Sequence, residues 1–195
     1  MAGGLAADAM KYNGARYVFG GAPANGIGNW DCSSFVNWCA GHDLGMAIPG
    51  MAAGTYTGKS HGPVVLDWAT WTGASTIHGS PAQNDLCIWA GAGALGHMGI
   101  ALSGDHMISA YDTAKGTIVT PIRGYGPPGA PLMFRRLTGG GGGGLSMPTG
   151  CVPLIYYIWL ASNALQDRRE HRRKFSSRQR GHRRRQDEIR DKETG

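Results

Sequence analysis

Five apolar runs of strand length follow one another between Asp85 and Leu137: DLCIWA (85–90), HMGIALS (97–103), HMISAY (106–111), TIVTPI (117–122) and PLMFRRL (131–137). Runs this short, bounded by Gly, Pro, Asp and Ser, read as strands rather than helices. Ser-Gly-Asp at 103–105 and Asp-Thr-Ala-Lys-Gly at 112–116 leave room only for tight turns. The runs therefore predict an antiparallel meander of about five strands.

What precedes the meander reads as helix, loop, helix. Leu5, Ala6, Ala9 and Met10 share one side of a short helix over 5–12, which Asn13-Gly14 stops. A loop from Gly20 to Gly28 carries four glycines and a proline. Asp31 is a good N-cap, and SSFVNWCAG behind it predicts a helix ending near Gly41, with Phe35, Val36 and Cys39 on its apolar side. Residues 42–84 are punctuated by Gly and Pro, with a short helix expected around Val64 to Thr70. Helices followed by an antiparallel sheet predict an α+β layer fold.

The chain divides sharply in composition after this region. Residues 1–138 hold seven Lys/Arg and seven Asp/Glu, whereas residues 139–195 hold twelve and six, so the formal charge of +6 belongs to the C-terminal part alone. Gly139 to Gly144 form one unbroken glycine run. The expected organisation is a neutral domain over 1–138, a flexible linker over 139–146 and a tail over 147–195. The tail holds an apolar segment, CVPLIYYIWLASNAL (151–165), shorter than a bilayer span and interrupted by Pro153. A docking helix, a membrane anchor and a segment without a role are its alternative readings, and the anchor is not favoured. The arginines from Arg168 to Arg190 suit weak contact with lipid or an anionic polymer; with no recognition motif beside them, nucleic acid is not an expected partner. The N-terminal MAGGLAADAMKYNGARY lacks the basic and apolar regions of a secretory signal.

The cysteines, Cys32, Cys39, Cys87 and Cys151, form no Cys-x-x-Cys pair and are too sparse for a disulfide scaffold. Cys39 and His42 offer two metal ligands without a second pair, so no metal is expected. Cys32 follows the capping Asp31 at a helix N-terminus, where backbone N–H groups favour a thiolate. Cys39, at the other end of the same helix, reads as core. A thiolate nucleophile needs a histidine. His97 opens a strand after a glycine-bearing loop and can reach a sheet end, while His42, His61 and His78 lie in irregular stretches and read as solvated surface, as does His106 in a hairpin turn.

YVFGG, DCSSFV, GHMGIAL, HMISA and FRRL, in that order across residues 5–137, resemble the NlpC-type cell-wall cysteine peptidases of the papain-like group, in a version similar to phage tail or lysis proteins. The resemblance implies a papain-like α+β fold with no cofactor and a reaction on peptidoglycan stem peptides, often at the bond from D-glutamate to the diamino acid. It implies Cys32 as nucleophile, His97 as general base and acid, and Tyr17 beside the oxyanion. The third residue of the family, twelve positions after the histidine, is Ser109 here, a departure from the usual His, Asn, Gln or Glu. Asp112 is the alternative if the strand bulges. Trp30, Asp31 and Ser33 are the expected substrate contacts, with Trp68 and Trp71 as further groove candidates and the N–H groups near Cys32 and Ser33 as oxyanion donors. The implied place of action is extracellular, at the cell wall or on a virion, with phage tail proteins as further partners. A silent wall-binding module, a structural tail protein, and an amidase or acyltransferase using the same Cys32 and His97 are the alternatives.

Overall fold

A computed structural model of the chain describes residues 4–90 and 96–138. The expected linker 139–146, the apolar segment 151–165 and the arginine-rich tail lie outside the described residues.

Three short helices come first. α1 (Leu5–Ala9) continues into a 3-10 turn, Met10–Tyr12; α2 (Cys32–Asn37) continues into a π-type turn, Trp38–Asp43; α3 spans Val65–Thr70. Six strands are described: β1 (Ala74–Ile77), β2 (Leu86–Trp89), β3 (His97–Ala101), β4 (His106–Asp112), β5 (Gly116–Pro121) and β6 (Leu132–Leu137). They form one antiparallel sheet in the order β1-β6-β2-β3-β4-β5. The α+β class is as the sequence implies.

The meander holds for β2 to β5 and fails for the fifth run. β6 crosses to the far edge and pairs with β2, Cys87 opposite Phe134, and β1 then adds outside β6. The connection over 122–131 carries Pro127, Pro128 and three glycines, which a tight hairpin does not accommodate. The apolar edge of β2, buried along its whole length, is what β6 covers instead. Arg136 on β6 fastens this crossing by donating from Nε and Nη2 to the two oxygens of buried Asp85, each at 2.7 Å.

Alternation along β2–β4 gives the sheet two buried faces. Cys87, Trp89, Ala101 and Met107 join Ile122 and Phe134 in one apolar cluster. Leu86, Ile88, Met98, Ile100 and Ile108, all fully enclosed, back the three helices, which pack on β2, β3 and β4. Phe35, Val36 and Cys39 are the apolar side of α2 and its π-type turn, and all are fully buried. That packing sets the N-terminus of α2 against the start of β3.

Candidate active site

Asp31 fixes the first turn of α2. Its Oδ1 accepts the backbone N–H of Ser33 (3.1 Å) and Ser34 (3.0 Å) and both their hydroxyls (3.1 Å each), while the Asp31 N–H returns to Ser34 Oγ at 2.9 Å. This is a capping box with serine in the reciprocal place, and it satisfies donors that a helix start otherwise leaves open. Cys32 is the first residue of the helix so capped. Its Sγ lies 3.9 Å from the carbonyl oxygen of Gly96, the residue immediately before His97.

His97 is buried where β3 begins. Its Nε2 is 3.2 Å from Ser109 Oγ on β4, and its ring lies between Trp89, 5.8 Å away across the β2–β3 pair, and Tyr111, an edge contact at 5.5 Å. With Nε2 engaged by Ser109, Nδ1 is the nitrogen left for a thiol proton. Gly99 allows this closeness: a Cβ there would stand 2.8 Å from Ile108 O and 3.0 Å from Ser109 Cβ. β4 does bulge between Ala110 and Asp112, but Asp112 Oδ1 accepts the N–H groups of Ala114 and Lys115 at 2.9 and 2.6 Å. It caps the turn into β5, and Ser109 is the residue bonded to His97.

Burial dominates the electrostatics. It pushes the Cys32 thiol up to about 12, helped by the charge of Asp31, against the backbone N–H groups of Met98 and Ser33, which favour the thiolate. The expectation that the helix end alone activates Cys32 is thereby corrected, because desolvation of the sulfur outweighs it. Burial also pulls His97 down to about 4, with Asp31 acting in the opposite sense. At neutral pH the two groups are a thiol and a neutral imidazole. Tyr17 is held in its O–H form by burial, and the negative charges of Asp31 and Asp112 act in the same sense, so it remains a hydrogen-bond donor.

The model of the NlpC/P60 family matches residues 14–128, a span that contains Tyr17, Cys32, His97 and Ser109. The chain belongs to the NlpC/P60 family. It is also similar to Protein P54 of Enterococcus faecium, 28% identical over 128 residues, which are 63% of this chain and 20% of that protein. The chain thus spans about a fifth of the curated relative that it matches. Among solved structures it is similar to the NlpC/p60 domain of peptidoglycan hydrolase SagA, at 25% identity and a TM-score of 0.45 over 68% of this chain and 94% of that one.

Several expected contacts are placed elsewhere in this NlpC/P60 domain. Trp30 is fully enclosed, in an edge contact with Tyr12 and tilted against Phe35, with its Nε1 donating to Thr117 Oγ1 at 3.0 Å, so it is core and cannot flank a groove. Trp68 is equally enclosed, and its Nε1 donates to Asn37 Oδ1. Asp31 and Ser33 are buried and turned into the helix cap, not toward a substrate. The Ser33 N–H is shared between Asp31 and the Cys32 sulfur, which leaves the Cys32 N–H as the less committed oxyanion donor. A groove of about 390 Å³, lined by Thr76, His78, Arg123 and Phe134 among others, involves none of the candidate residues. Among the described residues no cluster of three His, Cys, Asp or Glu could hold a metal.

The residue missed from the sequence is His61. It is not solvated surface: its Nε2 lies 2.8 Å from Asp31 Oδ2, thirty positions away. Position in an irregular stretch gave no periodicity from which to place it.

Proposed function

We propose that the chain is a cysteine peptidase that hydrolyses peptide bonds in peptidoglycan stem peptides, of the type joining D-glutamate to the diamino acid, through a thioester on Cys32. The observation that carries the reading is that the sulfur of capped Cys32 lies 3.9 Å from the carbonyl oxygen of Gly96, the residue before His97, whose Nε2 meets Ser109. Family membership supports the substrate class. In this reading His97 Nδ1 takes the thiol proton as sulfur attacks the carbonyl carbon. The Cys32 N–H and the Tyr17 hydroxyl hold the oxyanion, and the imidazolium gives its proton to the leaving amine. Water then cleaves the thioester, with His97 again as base. The place of action belongs to the same proposal: outside the cytoplasm, at the wall or on a virion, where tail proteins would be partners. Weak contact of the 147–195 tail with lipid or anionic polymer is part of it.

Digestion of purified peptidoglycan by the wild type and by Cys32→Ala tests the reading, with mass spectrometry of released peptides. Fragments made by the wild type alone support hydrolysis, and their new termini name the bond, which also separates an endopeptidase from an amidase or acyltransferase. Equal release by both proteins would remove Cys32 from the mechanism. The thiol pushed up to about 12 favours one second reading, a silent wall-binding module. Its signature is a folded wild type that sediments with peptidoglycan and releases nothing.

A further inference from the structure

Asp31 stands beside the nucleophile with a charge that opposes a thiolate there, yet its carboxylate is shared between two tasks. Oδ1 is committed to the α2 cap. Oδ2 accepts the Gly20 N–H at 3.1 Å and faces His61 Nε2 at 2.8 Å. The other ring nitrogen of His61, Nδ1, lies 3.0 Å from the carbonyl oxygen of Gly62. Both ring nitrogens therefore meet acceptors. A neutral imidazole has a single N–H and would set a lone pair against one of these oxygens; an imidazolium donates to both.

The ring does not find this place by its charge alone. Asn37, on α2, donates from Nδ2 to His61 O and Pro63 O at 2.9 Å each, and Asn37 is itself set by Trp68 Nε1. Tyr56 donates to Ser60 O or His61 O, both at 3.1 Å. The strap 60–63 is thus tied to the helix that carries Cys32, and the His61 side chain stays 23% exposed, open to proton exchange with solvent.

We infer that His61 is a positioning residue of the candidate site: held as an imidazolium between Asp31 and Gly62, it neutralises Asp31 and so permits Cys32 to form its thiolate. The inference rests on the peptidase reading for its use and on the geometry above for its existence. The ionisable groups around the pair are Asp31 and Tyr56, with Cys32, Tyr17 and His97 beyond Asp31. All three of these sense the Asp31 charge, as does Tyr56, which burial keeps protonated. The shifts agree with the geometry. The hydrogen bond to Asp31 leads in raising His61 above 6.5, against burial. Asp31 falls to about 2 because His61 and its backbone donors together outweigh burial. Loss of the His61 proton on the alkaline side leaves the Asp31 charge uncompensated and disfavours the thiolate.

The test is alkylation of Cys32 by iodoacetamide in the full chain, read by peptide mass spectrometry so that Cys39, Cys87 and Cys151 do not contribute. His61→Gln retains a donor for Asp31 without the charge, and His61→Lys retains the charge. At about pH 6 the Gln variant reacts about tenfold more slowly than the wild type, equivalent to one unit of thiol pKa, and the ratio approaches one as pH rises through the His61 titration. His61→Lys stays within about threefold of the wild type near the same pH. Equality of His61→Gln and wild type there, or a Lys variant as slow as Gln while both melt cooperatively, would overturn the inference. Should neither variant fold, the ring nitrogen shifts of wild-type His61 decide by NMR: a titration at or below the ordinary histidine value overturns it. The assay contains no peptidoglycan. A chain that releases no wall peptides but shows the Gln and Lys pattern retains this inference and loses the hydrolase reading. Wall hydrolysis with no effect at His61 does the reverse.

Discussion

The two sides of the candidate site are buried alike and built in opposite ways. On the α2 side a carboxylate is kept charged by many donors: the N–H groups of Gly20, Ser33 and Ser34, two serine hydroxyls and the His61 ring. On the sheet side the His97 ring has, among the described residues, one hydrogen bond, to Ser109, and otherwise packs among Trp89 and Tyr111. Burying a charge demands compensation, whereas an imidazole can meet the same burial by staying neutral. The comparison explains why a serine suffices as the third residue. A neutral His97 needs an acceptor for its N–H and a wall to orient it, not a counter-ion. The charge of Asp31 acts in favour of the imidazolium that forms during reaction.

The largest effect comes from removing the neutral side. His97→Ala should lower peptide release about a thousandfold, as loss of a general base does, while the Asp31 network keeps α2 capped. A drop of only severalfold would mean that another group takes the thiol proton. Ser109→Ala tests the single bond of that side. Loss of about 1 kcal/mol of hydrogen bonding should slow release five- to tenfold. Asp112→Asn, whose hydrogen bonds serve the turn after β4 and whose charge reaches Tyr17, should lower release less than Ser109→Ala does. The reverse ranking would return the third role to Asp112.

Gly99→Ala sharpens the comparison without altering either polar group. The added methyl would press on Ile108 O and the Ser109 Cβ. We expect about 1–3 kcal/mol of lost stability in denaturant melts, with release reduced as the His97–Ser109 distance opens. A variant as stable as the wild type would show that β4 yields there freely.

What could be read along the chain was what is local. Asp31, Cys32 and α2 were legible because a cap and the helix behind it are adjacent in sequence, and β2 to β5 because tight turns leave little choice of partner. The family resemblance named Ser109 twelve positions past His97, and a hydrogen bond joins the two. The β6 crossover was not legible, since the edge it covers belongs to a strand far upstream. Trp30 looked like a groove residue because nothing near it in sequence announces Tyr12 or Thr117 as neighbours. The thiol of Cys32 was misjudged for the same reason: a helix end is visible in sequence and the desolvation that outweighs it is not. His61 is the sharpest case, an ordinary residue in a loop until the fold sets Asp31 against it.

The smallest effect separates the two sides by the sign of their response to pH. His97 has a folded pKa near 4, below the ordinary 6.5, so its contribution to stability is full above that value and is lost as pH falls toward 4. His61 is raised, so its contribution is full below 6.5 and is lost as pH climbs through its folded value. Asp31, lowered to about 2, contributes fully above the ordinary carboxylate range, so melts kept above about pH 4.5 leave it out. The melting temperature should therefore pass through a broad maximum near neutrality. His97→Gln should flatten its acid side and His61→Gln its alkaline side, each by on the order of 1 kcal/mol, a few degrees in a domain of this size. If His61→Gln flattened the acid side instead, His61 would be neutral in the fold and the polar side would resemble the apolar one. If both variants shifted the whole curve downward without changing its shape, neither ring would titrate differently on folding, and the contrast between the two sides would be one of packing alone.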